Sequence, residues 1–215
     1  MSTNHLEPTD RTRITRLPKR GDYDLATIHA ILDEALVCTV AFAVDGQPFQ
    51  IPTGFCRIGD KLYIHGSVGS HYMRQLAEQK LTACIGVTLL DGIVLARSAF
   101  HHSVNYRSVI LFGQPTRVTA DAEMYEALEV FTNKMCPGRW DDVRKPTPGE
   151  WKATMLLSFP ITEASAKLRT GGPKDDEEDY DLNVWAGVLP LKLTASALIP
   201  DDRLKAGVPV PSYLR

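Results

Sequence analysis

Between Ser98 and Gly113 the chain reads S-A-F-H-H-S-V-N-Y-R-S-V-I-L-F-G. Two histidines, a serine and then Asn105, Tyr106, Arg107 and Ser108 crowd polar side chains ahead of an apolar run from Val109 to Phe112. An amide, a phenol, a guanidinium and a hydroxyl delivered by one core strand can orient a polar ligand. A second group lies at His65-Gly66-Ser67-Val68-Gly69-Ser70-His71, where a strand runs into a helix. Hydroxyls and free backbone N–H groups at a helix start favour an anion such as phosphate. A third is Ser165, Lys167 and Arg169, which share one face of a strand-like segment. Each group also has a plain reading, as a polar loop, a helix start or a solvated strand face. His65 is the side chain best suited to exchange protons near neutral pH.

Short strands must position these groups. After Gly21, Asp24 reads as the N-cap of a helix with Leu25, Ile28, Leu32 and Leu36 on one face. Val37–Val44, Gln47–Arg57 and Lys61–His65, separated by Asp45-Gly46 and Gly59-Asp60, predict an antiparallel meander. A short helix to about Gln79 follows, then a strand over Leu81–Leu89, with Asp91-Gly92 reading as a turn. Asp121 is the expected N-cap of a helix that buries Met124, Leu128 and Phe131. Thr154–Phe159 and Glu163–Arg169 are the last strands, and the acidic run Lys174–Asp179 reads as a solvated, mobile loop. The pattern predicts a mainly β fold, an antiparallel barrel with a few flanking helices.

The composition narrows the partners. With 215 residues, 44% hydrophobic content and a net charge of −2, the chain reads as a globular protein with no general attraction for nucleic acid. Asp10–Arg20 carries five positive charges but lacks interleaved aromatics, so it reads as a surface arm. No apolar run reaches the roughly 20 residues of a membrane span, and the N-terminus shows no signal-peptide core, so the expectation is a cytoplasmic protein. Cys38, Cys56 and Cys84 fall in apolar segments, and neither the cysteines nor the histidines have metal-ligand spacing, so no metal is expected.

Several segments together resemble the pyridoxamine 5'-phosphate oxidase-like, FMN-binding split-barrel proteins, in the branch of the nitroimidazole-resistance flavoproteins. They are R-G-D-Y-D at Arg20–Asp24, V-C-T-V-A-F, D-G-Q-P-F-Q-I-P at Asp45–Pro52, L-Y-I-H-G-S at Leu62–Ser67, S-V-N-Y-R-S-V-I-L-F-G, S-A-K-L-R at Ser165–Arg169 and W-A-G-V-L-P at Trp185–Pro190. The resemblance implies a six-stranded antiparallel split β-barrel over residues 21–198, between a basic arm (1–20) and a surface tail (199–215). It implies a homodimer with FMN at the subunit interface and an oxidoreductase acting on a small, nitro-aromatic-like electrophile. Ile51, Pro52 and Thr53 would run beside the flavin, and His65, Gly66, Ser67, Ser70 and His71 would approach its phosphate. Asn105, Tyr106, Arg107 and Ser108 would supply further contacts, and Lys167, Arg169 and Trp185 would complete the site. The family's oxidases carry an arginine-lysine pair after the Gly-Ser of the phosphate loop, where this chain has His71-Tyr72. The other expectation is a non-catalytic flavin- or haem-binding module.

Overall fold

Asp45 and Gly46 both take positive φ, 49° and 78°, the geometry a two-residue hairpin turn needs. They join strand β2 (Val37–Val44) to β3 (Gln47–Ile58), which returns through Gly59 into β4 (Lys61–Ser67). Ahead of this meander lie β1 (Gly21–Asp22) and helix α1 (Leu25–Glu34), whose N-cap Asp24 accepts from the Ala26 N–H. After it come α2 (His71–Glu78), β5 (Ala83–Leu95), β6 (Ser103–Gly113), β7 (Thr116–Arg117) and α3 (Asp121–Met135). The chain continues through α4 (Arg139–Asp142), α5 (Pro148–Ala153), β8 (Thr154–Pro160), β9 (Ala164–Arg169) and β10 (Gly187–Pro190). The computed structural model describes residues 4–214. No helix among them is long and apolar enough to cross a membrane.

Strand order is β1-β9-β6-β5-β2-β3-β4-β8-β7, with β10 added beside β5, and every pairing is antiparallel. β1 and β7 at the two ends do not pair with each other, so the sheet is not closed. The split falls inside β3, where Gln47–Gly54 pairs with β2 and Phe55–Ile58 with β4. Gly54 marks the crossing. A Cβ there would sit 2.8 Å from Cε2 of Phe131 on α3. Gly54→Ala is therefore expected to lose roughly 1–3 kcal/mol by overpacking. Adding Phe131→Leu should recover most of the loss, and urea denaturation of the single and double variants checks it.

The main core holds Ile28, Ile31 and Leu32 of α1, Met73 and Leu76 of α2, and the inward residues Val40, Phe55, Leu62, Ile64, Ile85, Leu111, Leu157 and Phe159. A smaller cluster packs Met124 and Ala127 of α3 against Cys56, Tyr63 and Leu156 on the other face of the second sheet. The four cysteines are free, and burial pushes the Cys38 and Cys56 thiols up to about 12.

Four local expectations change. Leu36 lies beyond the end of α1 and is exposed, so the buried face of that helix is Ile28, Ile31 and Leu32. Asp91-Gly92 is no turn: β5 runs through it with a bulge between Leu90 and Gly92. Asp121 is the first residue of α3, whose N-cap is Ala120. The acidic run is not simply solvated. The Asp175 side chain is fully covered, accepting from the Arg97 N–H at 3.0 Å, Arg97 Nη1 at 3.1 Å and the Ser98 N–H at 3.4 Å.

Candidate functional site

β4 leads straight into α2, and its end is shaped by small residues. A Cβ on Gly66 would lie 3.2 Å from Met73 Cγ, so a larger residue would press on the helix. Ser67 Oγ accepts from the Gly69 N–H at 3.1 Å, and the Ser70 N–H donates to the Ser67 carbonyl at 2.9 Å. Ser70 has N-cap backbone geometry but its hydroxyl does not cap, leaving first-turn N–H groups for an acceptor from outside the helix. His71 is exposed at the first helical position. Tyr72 turns inward beside Thr53: burial raises its phenol, and the Thr53 hydroxyl opposes that shift.

His65 lies half-buried on β4 with its ring edge-on to Phe131, centroids 4.5 Å apart. Burial holds its imidazole below the ordinary value, disfavouring the charged form. On β3, Ile51 packs against the core while Pro52 is exposed on the opposite face.

β6 and β9 build the second polar group, in the register Tyr106↔Arg169 and Ser108↔Lys167. Asn105 is buried, donates from Nδ2 to the Gly171 carbonyl at 3.1 Å and accepts from Arg169 Nη1. Ser108 Oγ donates to the Lys167 carbonyl at 3.2 Å. Arg107 is committed elsewhere. Its Nε and Nη2 donate to Asp91 at 3.0 and 2.7 Å, and Nη1 and Nη2 hold Glu34 at the end of α1. Trp185 is 67% exposed, with its ring over Gly187. His101 pairs with Asp176 at 3.2 Å, and these two with Asp179 are the one close group of metal-competent side chains among the described residues.

The structure thus joins Asn105 to Arg169 and Ser108 to β9, across two of the sequence groups, and Ser67 to Ser70 within the remaining one. It turns Arg107 toward carboxylates and leaves Trp185 outside. The sequence reading gave Phe131 to the core and Tyr72 to the segment after Ser70; their contacts with His65 and Thr53 are set by packing, not spacing.

A family model described as pyridoxamine 5'-phosphate oxidase matches residues 24–168. The structure superposes on the flavocytochrome Anf3 from Azotobacter vinelandii with a TM-score of 0.89 and 40% identity, covering 97% of each chain. It superposes on the FAD and haem binding protein from Mycobacterium smegmatis with a TM-score of 0.86 and 38% identity, covering 91% of this chain and 95% of that one. A candidate 5-nitroimidazole antibiotic resistance protein from Bacteroides thetaiotaomicron shares the fold at 20% identity and a TM-score of 0.56, covering 67% of this chain and 83% of that one. Among curated proteins, none matches the chain.

Proposed function

The chain belongs to the pyridoxamine 5'-phosphate oxidase-like family, and from that premise we propose that it is a flavin-binding redox protein. The observation that carries the reading is the likeness, over nearly its whole length, to two proteins described as a flavocytochrome and an FAD and haem binding protein. The uncapped start of α2, with Ser67, Ser70 and His71, fits a flavin phosphate. Ile51–Thr53, Asn105, Tyr106 and Ser108 would wall the ring system. A bound flavin supplies hydride or single-electron transfer. His65, packed edge-on to Phe131 with burial disfavouring its charged form, would exchange a proton at its imidazole. The substrate class is a small electrophile, nitro-aromatics included, handled in the cytoplasm.

A second copy of the chain would complete the site, bringing its own Lys167, Arg169 or Trp185 to the flavin. A charge-free strip fits such a partner: Val37, Thr39, Ala41, Cys84, Gly86 and Thr88 face outward along β2 and β5. The names of the two long-range relatives favour haem as a second group, whose iron takes an imidazole ligand. His71 is exposed on the same junction, at the first position of α2.

The purified protein, or its apo form titrated with FMN and FAD in parallel, is expected to show flavin absorbance and to be reduced anaerobically by NADH or NADPH. No binding of either flavin would overturn the reading. His71→Ala should abolish the Soret band of a haem-loaded sample and, because His71 also stands at the proposed flavin phosphate, weaken FMN more than riboflavin. An unchanged Soret band removes His71 from that role.

A further inference from the structure

At the end of β9 the chain builds a cavity of about 540 Å³ against the basic arm, within the range typical of small-ligand sites. Its charged lining is Lys19, Arg20, Arg169 and Lys174, with the Thr170 hydroxyl beside them and no carboxylate. Such one-sided charge is unusual in a chain whose net charge is −2. Nor is it neutralised from nearby: Lys19, Arg20 and Lys174 form no ion pair among the described residues. The basic segment that the nucleic-acid question singled out therefore delivers its last two cations to a pocket.

Arg169 is the built element of this pocket. It is 7% exposed, and its Nε is buried without a hydrogen-bond partner. Its other nitrogens donate only to neutral oxygens: the Asn105 amide and the carbonyls of Gly171 and Gly172. A buried guanidinium with neutral partners and a second arginine close by lacks the anion that normally accompanies it. The planar fork of one arginine, a second arginine and two mobile ammonium groups suit tetrahedral oxyanions. We propose that this cavity binds the phosphoryl group of a nucleotide, as phosphate ester or pyrophosphate. The group is carried by a nicotinamide dinucleotide that donates electrons or by the flavin itself, and in the second case this cavity replaces the α2 junction as the flavin's phosphate site. The anion site does not depend on the flavin reading, since inorganic pyrophosphate probes it directly.

The test is calorimetric titration of the full chain with inorganic pyrophosphate, comparing wild type with the triple variant K19Q/R20Q/K174Q. These three side chains lie at the surface or half-buried, so the variant keeps the core. Wild type is expected to bind, and the triple variant to bind on the order of tenfold or more weakly, with the difference shrinking in high salt. Arg169→Lys, which keeps charge but loses the fork, should also weaken binding. Failure of wild type to bind pyrophosphate, or equal binding by wild type and triple variant, overturns the proposal. Two further arms assign the source. If the triple variant weakens FMN or FAD while riboflavin is unaffected, the phosphate is the flavin's. If flavins bind unchanged but a higher NADH or NADPH concentration is needed for reduction, it is the donor's. If pyrophosphate binds and no flavin does, the anion site stands and the flavin reading falls.

Discussion

Phe55→Ala is expected to cost about 3–5 kcal/mol of folding free energy. Phe55 is fully buried where β3 leaves one sheet for the other, among Leu62, Ile64 and their neighbours in the main core. Truncation removes the ring from both sheets at once, and two strands fixed by their own ladders cannot close on the space. A second consequence follows from Lys134. Its Nζ stands 3.6 Å from the centre of the Phe55 ring and donates to the Leu32 carbonyl at 2.8 Å. Burial lowers this ammonium to about 8, against about 10.4 in an unfolded chain. Between those values the folded protein has released a proton that the unfolded chain keeps, so this group makes stability rise with pH from about 8 upward. In Phe55→Ala water reaches the ammonium, its pKa returns toward the ordinary value, and the rise flattens. Urea midpoints at pH 7, 8, 9 and 10 for both proteins read the two effects together. A loss below about 1 kcal/mol at pH 7 would mean that the core relaxes around the site.

The boundary between what the sequence shows and what it hides runs along the range of each interaction. The β2–β4 meander and the Asp24 cap were legible because hairpin turns and caps are made by residues a few positions apart. Asp91-Gly92 misled for the opposite reason. Gly92 does not turn the chain; it lets β10 approach, since a Cβ there would lie 3.1 Å from the Leu189 carbonyl oxygen. A turn glycine and a close-approach glycine are the same letter, and only the returning strand separates them. The acidic run was read as solvated because Arg97, which holds Asp175, lies 78 positions away. The same holds for the candidate site. Sequence alone grouped Asn105 with Arg107, yet the fold gives Asn105 to Arg169 and Arg107 to Glu34 and Asp91. Adjacent residues on a strand point to opposite faces and residues two apart share one, but which carboxylates wait on that face is decided by α1 and the β5 bulge.

Arg107→Met is the substitution that separates scaffold from site. Methionine keeps much of the aliphatic stem, so the change removes charge and hydrogen bonds more than packing. Arg107 ties the end of α1 to the β5 bulge through Glu34 and Asp91. Without it two carboxylates face each other, one of them at the C-terminus of a helix, where the dipole disfavours negative charge. Arg107 is 28% exposed and Glu34 53%, so solvent screens part of the loss. The expected cost is about 2 kcal/mol, above a surface pair and below a fully buried one. Arg107 holds the Glu34 carboxyl below its ordinary value, so that contribution is complete above the unfolded pKa of about 4.3 and is lost as pH falls through the lower folded value. The gap between wild type and variant should accordingly be constant from pH 7 to about 5 and close below about 4. Denaturation across that range, with flavin binding measured at pH 7, distinguishes the two roles. If Arg107 only braces α1, FMN and riboflavin bind the variant with an unchanged affinity ratio. A selective loss of FMN would show that the guanidinium leaves its carboxylates to hold the phosphate, and the brace would then be one state of a switch.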